Sequence, residues 1–134
     1  MQLLPAIPAL PVRDVAKSIP FYRDVLGLSI RHHNTGFAIF QRDAIEIHVW
    51  QANDETWRTR RNGTPIISGA ESFISGMASC RIAVSGVDKL YSHLQQQGIV
   101  HPRGQMRNTD DGTREFGVTD PDNNLITFFE RLTP

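Results

Sequence analysis

Apolar residues recur at helical spacing in two segments of the chain, which end at Gly27 and Gly98. This spacing places them along one face of a helix. The positions are Val15, Ile19, Tyr22 and Leu26 in the first segment and Val87, Leu90, Tyr91 and Leu94 in the second. Asp14 is a suitable N-cap, and glycine favours a helix end. The pattern therefore predicts two helices, with Pro20 near the first turn of its helix, where a missing N–H is tolerated.

Short apolar or alternating segments predict the strands. They cover residues 6–12, 28–33, 36–42 and 44–50 in the first half and 80–86, 99–103, 113–119 and 125–131 in the second. A tight turn near Asp43 joins the last two strands of the first half, and the run DPDNN at 120–124 joins those of the second. The first strand contains Pro8 and Pro11. Because proline cannot donate to a central ladder, this strand should lie at an edge or between subunits.

The order of strand, helix and three strands occurs twice. VRDVAKSIPFYRDVLGL (Val12 to Leu28) aligns with VSGVDKLYSHLQQQGI (Val84 to Ile99), with the helix-ending glycines in register. A single βαβββ unit leaves one sheet face uncovered, so two units should pair around a cleft. The predicted fold class is α+β: one domain over 1–134, with two βαβββ modules, about 5–52 and 78–132, forming a cupped mixed sheet.

The segment between the modules, about 53–77, has scattered glycines and a proline and is predicted to be a long loop. Loops of this length are usually functional or mobile. The segment contains Trp57, Arg58, Arg60 and Arg61. These residues form either a solvated charge cluster or a lid over a ligand.

Composition narrows the function classes. The 134 residues carry 14 basic and 14 acidic side chains, so the formal net charge is zero. Nucleic-acid binding is disfavoured without a basic excess. No apolar run is long enough for a membrane span, and prolines interrupt the N-terminal segment where a secretory signal would need a helix. A cytoplasmic protein without membrane or nucleic-acid partners is expected. The single cysteine, Cys80, is expected in the core.

Three motifs in order resemble the vicinal oxygen chelate superfamily of glyoxalases, extradiol dioxygenases, and fosfomycin- and bleomycin-resistance proteins. They are LPVRDVAKSIPFYRDVLGL, VSGVDKLYSHLQQQGI and GTREFGVTDPDNNLITFFE. The last of these and IPALPVRDV are most similar to the bleomycin-resistance branch. That resemblance implies a strand-exchanged homodimer, in which the proline-bearing N-terminal strand passes to the partner. It also implies that each groove lies between the first module of one chain and the second of the other.

The enzymes of this superfamily hold a divalent metal at four strand positions. By motif alignment these fall on Ile7, Glu46, Ser79 and Thr127, of which only Glu46 is an ordinary metal ligand. The resemblance therefore implies a non-catalytic protein without cofactor or metal, which sequesters a small molecule, an antibiotic or a metabolite. The alternative is a metal-dependent glyoxalase- or dioxygenase-like enzyme that uses Glu46, His48 and a shifted third ligand.

Strand alternation from the former ligand positions predicts the residues that line the groove. The predicted ligand-binding residues are Phe37, Glu46, His48, Trp50, Ser79, Arg81, Arg114, Phe116 and Thr127, with Leu125 and Phe129 beside them. Structural interpretations remain open for several. Glu46 could form an ion pair with Arg81 or Arg114, His48 could be a half-buried structural histidine, and Trp50 could stack on a ligand or contact a dimer partner.

Two departures from the resistance proteins bear on the charge of the ligand. Bleomycin is a large cationic glycopeptide, and the proteins that sequester it are typically strongly acidic. This chain has no net charge. The chain also has Gly112 and Thr113 where the resistance motif has tryptophan and glycine. Arg81 and Arg114 should favour an anionic or carboxyl-bearing ligand.

Overall fold

A computed structural model describes residues 1–52 and 78–133 of the chain. The first module contains β1 (Ala9–Val12), α1 (Val15–Pro20) continued by a π-helical turn (Phe21–Val25), β2 (Ser29–His33), β3 (Phe37–Arg42) and β4 (Ile45–Gln51). The second contains β5 (Ser79–Ala83), α2 (Val87–Gln96), β6 (Arg107–Asn108), β7 (Thr113–Thr119) and β8 (Leu125–Arg131). The predicted 53–77 loop, with Trp57 and its three arginines, lies outside the described residues.

Each module builds its own four-stranded mixed sheet. The strand order is β1-β4-β3-β2 in the first sheet and β5-β8-β7-β6 in the second. In both sheets the first strand of the module pairs in parallel with the last, and the other pairs are antiparallel. The α+β class and the duplicated βαβββ order are therefore confirmed, although the strands form two sheets rather than one.

Two strand predictions are corrected. Residues 99–103 contain only an isolated bridge from Val100 to Val118, and the short strand β6 forms further along the chain. At the N-terminus, strand pairing begins at Ala9 rather than at residue 6. The preceding residues include the exposed Leu3, Leu4 and Ile7. β1 ends the strand order of its sheet, as the prolines predicted.

The first helix changes geometry at its proline. Asp14 caps it by accepting a hydrogen bond from the Ala16 N–H at 3.0 Å. Pro20 is the last α-helical residue rather than a first-turn residue, and the next five residues form a π turn. Because proline has no N–H and crowds the preceding turn, the helix widens there instead of continuing regularly. Gly27 then reverses the chain with φ of +73°.

Each helix covers one face of its own sheet with aromatic contacts. The Tyr22 ring stacks on Phe40 of β3 at 5.1 Å between centroids, and the Tyr91 ring meets Phe116 of β7 edge-on at 5.1 Å. The helix-facing residues of both modules form a continuous apolar core. In the parts of the chain that the structure describes, no helix is both long and apolar enough to cross a membrane.

A buried carboxylate joins the two modules. The fully buried Tyr22 donates its hydroxyl hydrogen to Asp120 Oδ2 at 2.7 Å. Asn124 donates from Nδ2 to the same oxygen at 2.9 Å and to the Pro11 carbonyl at 2.8 Å. Asp120 Oδ1 accepts from the N–H groups of Asp122 and Asn124. The pKa of Tyr22 lies far above its ordinary value of 10.0, mainly because the hydroxyl is buried and secondly because the charge of Asp120 is close to it.

Tyr22→Phe should lower the free energy of unfolding by about 2 kcal/mol, because it removes a buried hydrogen bond to a charged acceptor. Urea denaturation measures the change. Tyr91→Phe is the matched control, since the Tyr91 hydroxyl has no hydrogen-bond partner within residues 1–52 and 78–133. Its cost should be about 0.5 kcal/mol or less. Equal losses in the two variants would contradict the role assigned to Asp120.

The stability difference between the parent protein and Tyr22→Phe should also depend on pH. The folded state keeps Tyr22 protonated, whereas in the unfolded chain it ionises near its ordinary pKa of 10.0. Its contribution is therefore fully present below pH 10 and is lost as the pH rises above that value. The stability difference between the parent protein and Tyr22→Phe should narrow above about pH 10.

Candidate ligand-binding groove

The outer face of the first sheet carries the predicted acidic and aromatic group. Along β4, Glu46, His48 and Trp50 are half-buried and alternate with the fully buried Ile47 and Val49. Phe37 pairs with Trp50 across the two strands, and its ring meets that of His48 edge-on at 5.1 Å between centroids. The structure therefore brings these four predicted residues together on one sheet face.

Glu46 has two side-chain partners on the first sheet. Its Oε2 lies 2.7 Å from His48 Nε2, and its Oε1 accepts from Arg31 Nη1 at 3.3 Å. The alternative in which Glu46 pairs with Arg81 or Arg114 does not form within one chain, because these arginines bind Glu115 and Asp88. Glu46 and His48 each keep 22% of their side-chain surface exposed. The pair can therefore present a hydrogen-bonded carboxylate beside an aromatic wall.

The second sheet has an open groove of about 630 Å³ on its outer face. Arg81, Leu125 and Thr127 line it, as predicted, and Ser79 pairs with Leu125 in the register of β5 and β8. The Arg81 guanidinium carbon lies 4.7 Å from the centroid of the Phe129 ring. This volume is within the usual range for sites that take small molecules. Cys80, on the alternate position, packs against the core as expected.

Phe116 is among the residues that line the groove, as predicted, but its side chain and that of Arg114 point to the helix side of the sheet instead. Arg114 donates from Nε and Nη2 to Asp88 of α2 at 3.0 and 2.8 Å. Phe116 is 2% exposed and packs between Tyr91 and Phe128 in the core. Both side chains point to the helix, so the assumed phase of β7 was displaced by one residue. Phe116 and Val118 share one face of TREFGVT with Arg114, and this single charged residue obscures the apolar face in the sequence.

Glu115 is the most buried charged residue among the groove residues that the sequence prediction missed. Its Oε2 accepts from Arg81 Nη2 at 2.7 Å and from Thr113 Oγ1 at 3.1 Å, and its Oε1 lies 3.6 Å from Arg107 Nη2. Only 12% of its side chain is exposed. The hydrogen bond from Arg81 is the main cause that lowers the pKa of Glu115. One carboxylate therefore holds two arginines at the groove wall.

A backbone crossing closes one end of this groove. The His101 N–H donates to the Gly117 carbonyl at 2.9 Å, and the Gly117 N–H donates to the Gly104 carbonyl at 2.8 Å. A Cβ on Gly104 would lie 2.9 Å from the Gly117 oxygen. Only a residue without a side chain fits this crossing, which positions Arg103 and Gln105 at the rim. Gly117 lies within β7, and a glycine inside a strand is the sequence signal for such a close approach.

The predicted site is therefore divided between two surfaces. The groove on the second sheet is lined by second-module residues only. Within the described ranges, no hydrogen bond or ion pair links it to the group formed by Phe37, Glu46, His48 and Trp50. The sequence analysis had placed both groups in one groove that two chains of a dimer share.

The positions at which the superfamily's enzymes hold metal do not fit a metal here. Ile7 is an exposed alkyl side chain before β1, and Glu46 is the sole carboxylate among the four positions. Ser79 and Thr127 supply only hydroxyls, on the other sheet. Within residues 1–52 and 78–133, no group of three or more His, Cys, Asp or Glu side chains could hold a metal ion. These residues cannot provide the donors that such a divalent site needs.

Sequence comparison defines the class of protein. The model of the Glyoxalase/Bleomycin resistance protein/Dioxygenase superfamily matches residues 6–128, and the chain belongs to this superfamily. The chain is 51% identical over 130 residues to bleomycin resistance proteins of Geobacillus stearothermophilus and Staphylococcus aureus. The alignment covers 97% of this chain and 98% of each relative. The resemblance inferred from the three motifs is confirmed.

Solved structures share the fold. The bleomycin-binding protein of Streptomyces verticillus, complexed with copper(II)-bleomycin, matches with a TM-score of 0.70 and 21% identity over 100% of this chain and 99% of its own. Lactoylglutathione lyase from Agrobacterium tumefaciens matches with a TM-score of 0.74 and 18% identity, over 97% and 95% of the two chains. At such identities the likeness establishes architecture alone.

Gly104→Ala should lower the free energy of unfolding by about 1–3 kcal/mol, because the new methyl group must displace backbone. Gly36→Ala is the control, since its Cβ would meet only Asn34 Oδ1, at 3.9 Å. Thermal or urea unfolding of the two variants measures the difference. A tolerated Gly104→Ala would show that the crossing is looser than described.

Arg81→Ala should raise the pKa of Glu115 toward its ordinary value, because it removes the principal hydrogen bond to the carboxylate. Arg114→Ala should leave that pKa unchanged, since Arg114 points to Asp88. Carboxyl-carbon NMR titration of Glu115 in both variants measures the two effects. The reverse pattern would place Arg114 in the groove after all.

Proposed function

We propose that this protein binds a bleomycin-type glycopeptide antibiotic and sequesters it without chemical change. The observation that carries the proposal is 51% identity, over nearly the full length of both chains, to proteins named for bleomycin resistance. The donor chemistry at the superfamily's metal positions supports binding over catalysis, since a single carboxylate remains among them. The role requires only a surface that is complementary to the drug.

The corrected phase of β7 removes part of the sequence argument against a cationic ligand. Arg114 is bound to α2, and Glu115 faces the groove in its place, where it offsets the charge of Arg81. The groove still presents Arg103 and Arg107. Arginine N–H groups suit the carbonyl and sugar oxygens of a glycopeptide as well as anions.

The first-sheet face suits a different part of such a ligand. Phe37 and Trp50 provide flat apolar surfaces, on which planar rings stack favourably. The carboxylate of Glu46 lies on the same face, where it can attract a cationic group. We propose that the aromatic and cationic part of the drug lies against this face, and the oxygen-rich part against the arginines of the second sheet.

A homodimer would bring these two surfaces together. Neither surface is a complete site by itself, and the described residues show no contact between them. The exposed apolar side chains Leu3, Leu4 and Ile7 precede the edge strand β1 and are available to a partner chain. We therefore propose two equivalent grooves per dimer, each formed by the first module of one protomer and the second of its partner.

A cytoplasmic location is proposed with this role. The single cysteine has a pKa that burial raises to about 11, so its thiol is protonated and poorly reactive near neutral pH. A protein without an internal disulfide suits a reducing compartment.

Isothermal titration with metal-free bleomycin tests the proposal, with an expected stoichiometry of one drug per protomer. Glu46→Gln should weaken binding about tenfold, because it removes a partly desolvated charge while keeping an acceptor for His48. Asp43→Asn is the matched control. It removes a carboxylate from the turn of the same hairpin, where the side chain is 90% exposed, and affinity should not change.

Chelator treatment before titration separates binding from metal-dependent chemistry. Unchanged affinity after treatment is expected. Failure of bleomycin to bind at micromolar protein, or conversion of the drug into a product, would refute the proposed function. A stoichiometric divalent ion released from protein purified without chelators would favour the enzyme alternative.

A further inference from the structure

A second cavity lies between the two modules on the helix-facing side of the sheets. Its volume is about 620 Å³. The end of the first helical segment, the β3–β4 turn, the end of β5 and α2 form its walls. The apolar residues of this lining are Leu26, Leu28 and Ile45 from the first module and Ile82, Leu90 and Phe128 from the second. None of the residues that line the groove on the second sheet lines this cavity.

The groove and the cavity lie on opposite faces of strand β8, whose side chains alternate between them. On β8, Leu125 and Thr127 line the groove, whereas Phe128 lies on the opposite face and lines the cavity. Phe128 is 6% exposed, and Leu26 and Ile82 are each 8% exposed. Core side chains thus form the floor of the cavity and leave a small part of their apolar surface accessible.

Basic side chains stand at the rim of the apolar floor. Arg42 comes from the first module, and Lys89 and His93, one helical turn apart on α2, come from the second. Arg42 donates to the Leu26 carbonyl at 3.2 Å and lies 3.8 Å from the Asp43 carboxylate. Lys89 has no hydrogen-bond or ion-pair partner within the described ranges. Within residues 1–52 and 78–133, the positive charge that Lys89 offers at the rim is therefore not part of an ion pair, whereas Arg42 lies beside Asp43.

We propose that this cavity is a second ligand site, which binds a small amphiphile with an apolar chain and a single anionic head group such as a carboxylate. The chain would lie on the Leu, Ile and Phe floor, where it is removed from water. The head group would remain at the rim and interact with Lys89. A concave, mostly apolar lining with a few convergent polar groups is typical of small-molecule sites.

The arrangement favours an anion over other head groups. Lysine is a compact point charge on a flexible stem, so Lys89 can follow a head group without fixed geometry. Across the cavity mouth, Arg42 keeps guanidinium N–H groups beyond the one bonded to Leu26. The one acidic residue of the lining, Asp43, is 90% exposed and lies beside Arg42. A cationic head group would meet Lys89, and the described lining of the cavity offers it no buried carboxylate.

Titration of the full chain with sodium decanoate, followed by amide NMR, tests the proposal. Saturable shifts are expected at Ala44, Ile82 and Leu90, with stoichiometry of one per chain. Decyltrimethylammonium, which has the same chain and the opposite charge, should bind about tenfold more weakly. Lys89→Glu should weaken decanoate binding by a similar factor, whereas Lys17→Glu, the same change at the chain's other lysine, should have no effect.

A second variant tests the apolar part. Ala44 is exposed on the β3–β4 turn at the cavity wall, so Ala44→Trp should fold normally and occupy part of the volume. Decanoate binding to this variant should be lost, while bleomycin binding remains. Three results would each overturn the proposal, whatever the outcome for bleomycin. They are equal effects of the two lysine variants, equal binding of decanoate and decyltrimethylammonium, and shifts confined to His101 and Gly104 of the groove.

Discussion

The buried carboxylate of Asp120 is the constraint on which the arrangement of the two modules depends. Burying a charge is costly unless its oxygens are satisfied. Here the donors come from Tyr22 in the first module and from the DPDNN turn itself. Asn124 extends the network to the Pro11 carbonyl, beside the edge strand. Because the bonds from Tyr22 and to the Pro11 carbonyl form only when both modules are docked, the network favours the orientation that creates the groove on one side and the cavity on the other.

Each sheet serves two purposes through the alternation of its strands. On β7, Arg114 and Phe116 hold α2, while Glu115 and Gly117 shape the groove. A shift of one residue would exchange these roles completely. This explains why the outer faces can present charged groups while the inner faces remain apolar. It also explains why the scaffold can change its outer residues without losing its core.

The superfamily contains both enzymes and drug-binding proteins, and this chain keeps the scaffold with a single carboxylate among the four positions aligned with metal ligands. At the corresponding positions, an alkyl chain and two hydroxyls accompany Glu46, whose carboxylate is bound to His48 and Arg31. Such a surface can recognise a ligand through charge, stacking and hydrogen bonds. Shape and charge on the outer faces, rather than the fold, then determine what is bound.

The sequence by itself determined the duplicated βαβββ order, both helices, most strands and the group on β4, because these depend on local periodicity and on turn residues. It also determined the superfamily, through motifs at the helix ends and the DPDNN turn. The tertiary structure alone decided the partners of Glu46 and Arg114 and the division of the strands between two sheets. Arg114 shares its face of β7 with the apolar Phe116 and Val118, and only its ion pair with Asp88 of α2 explains a charged residue there. A partner 26 residues away in the sequence leaves no periodic signal in the chain.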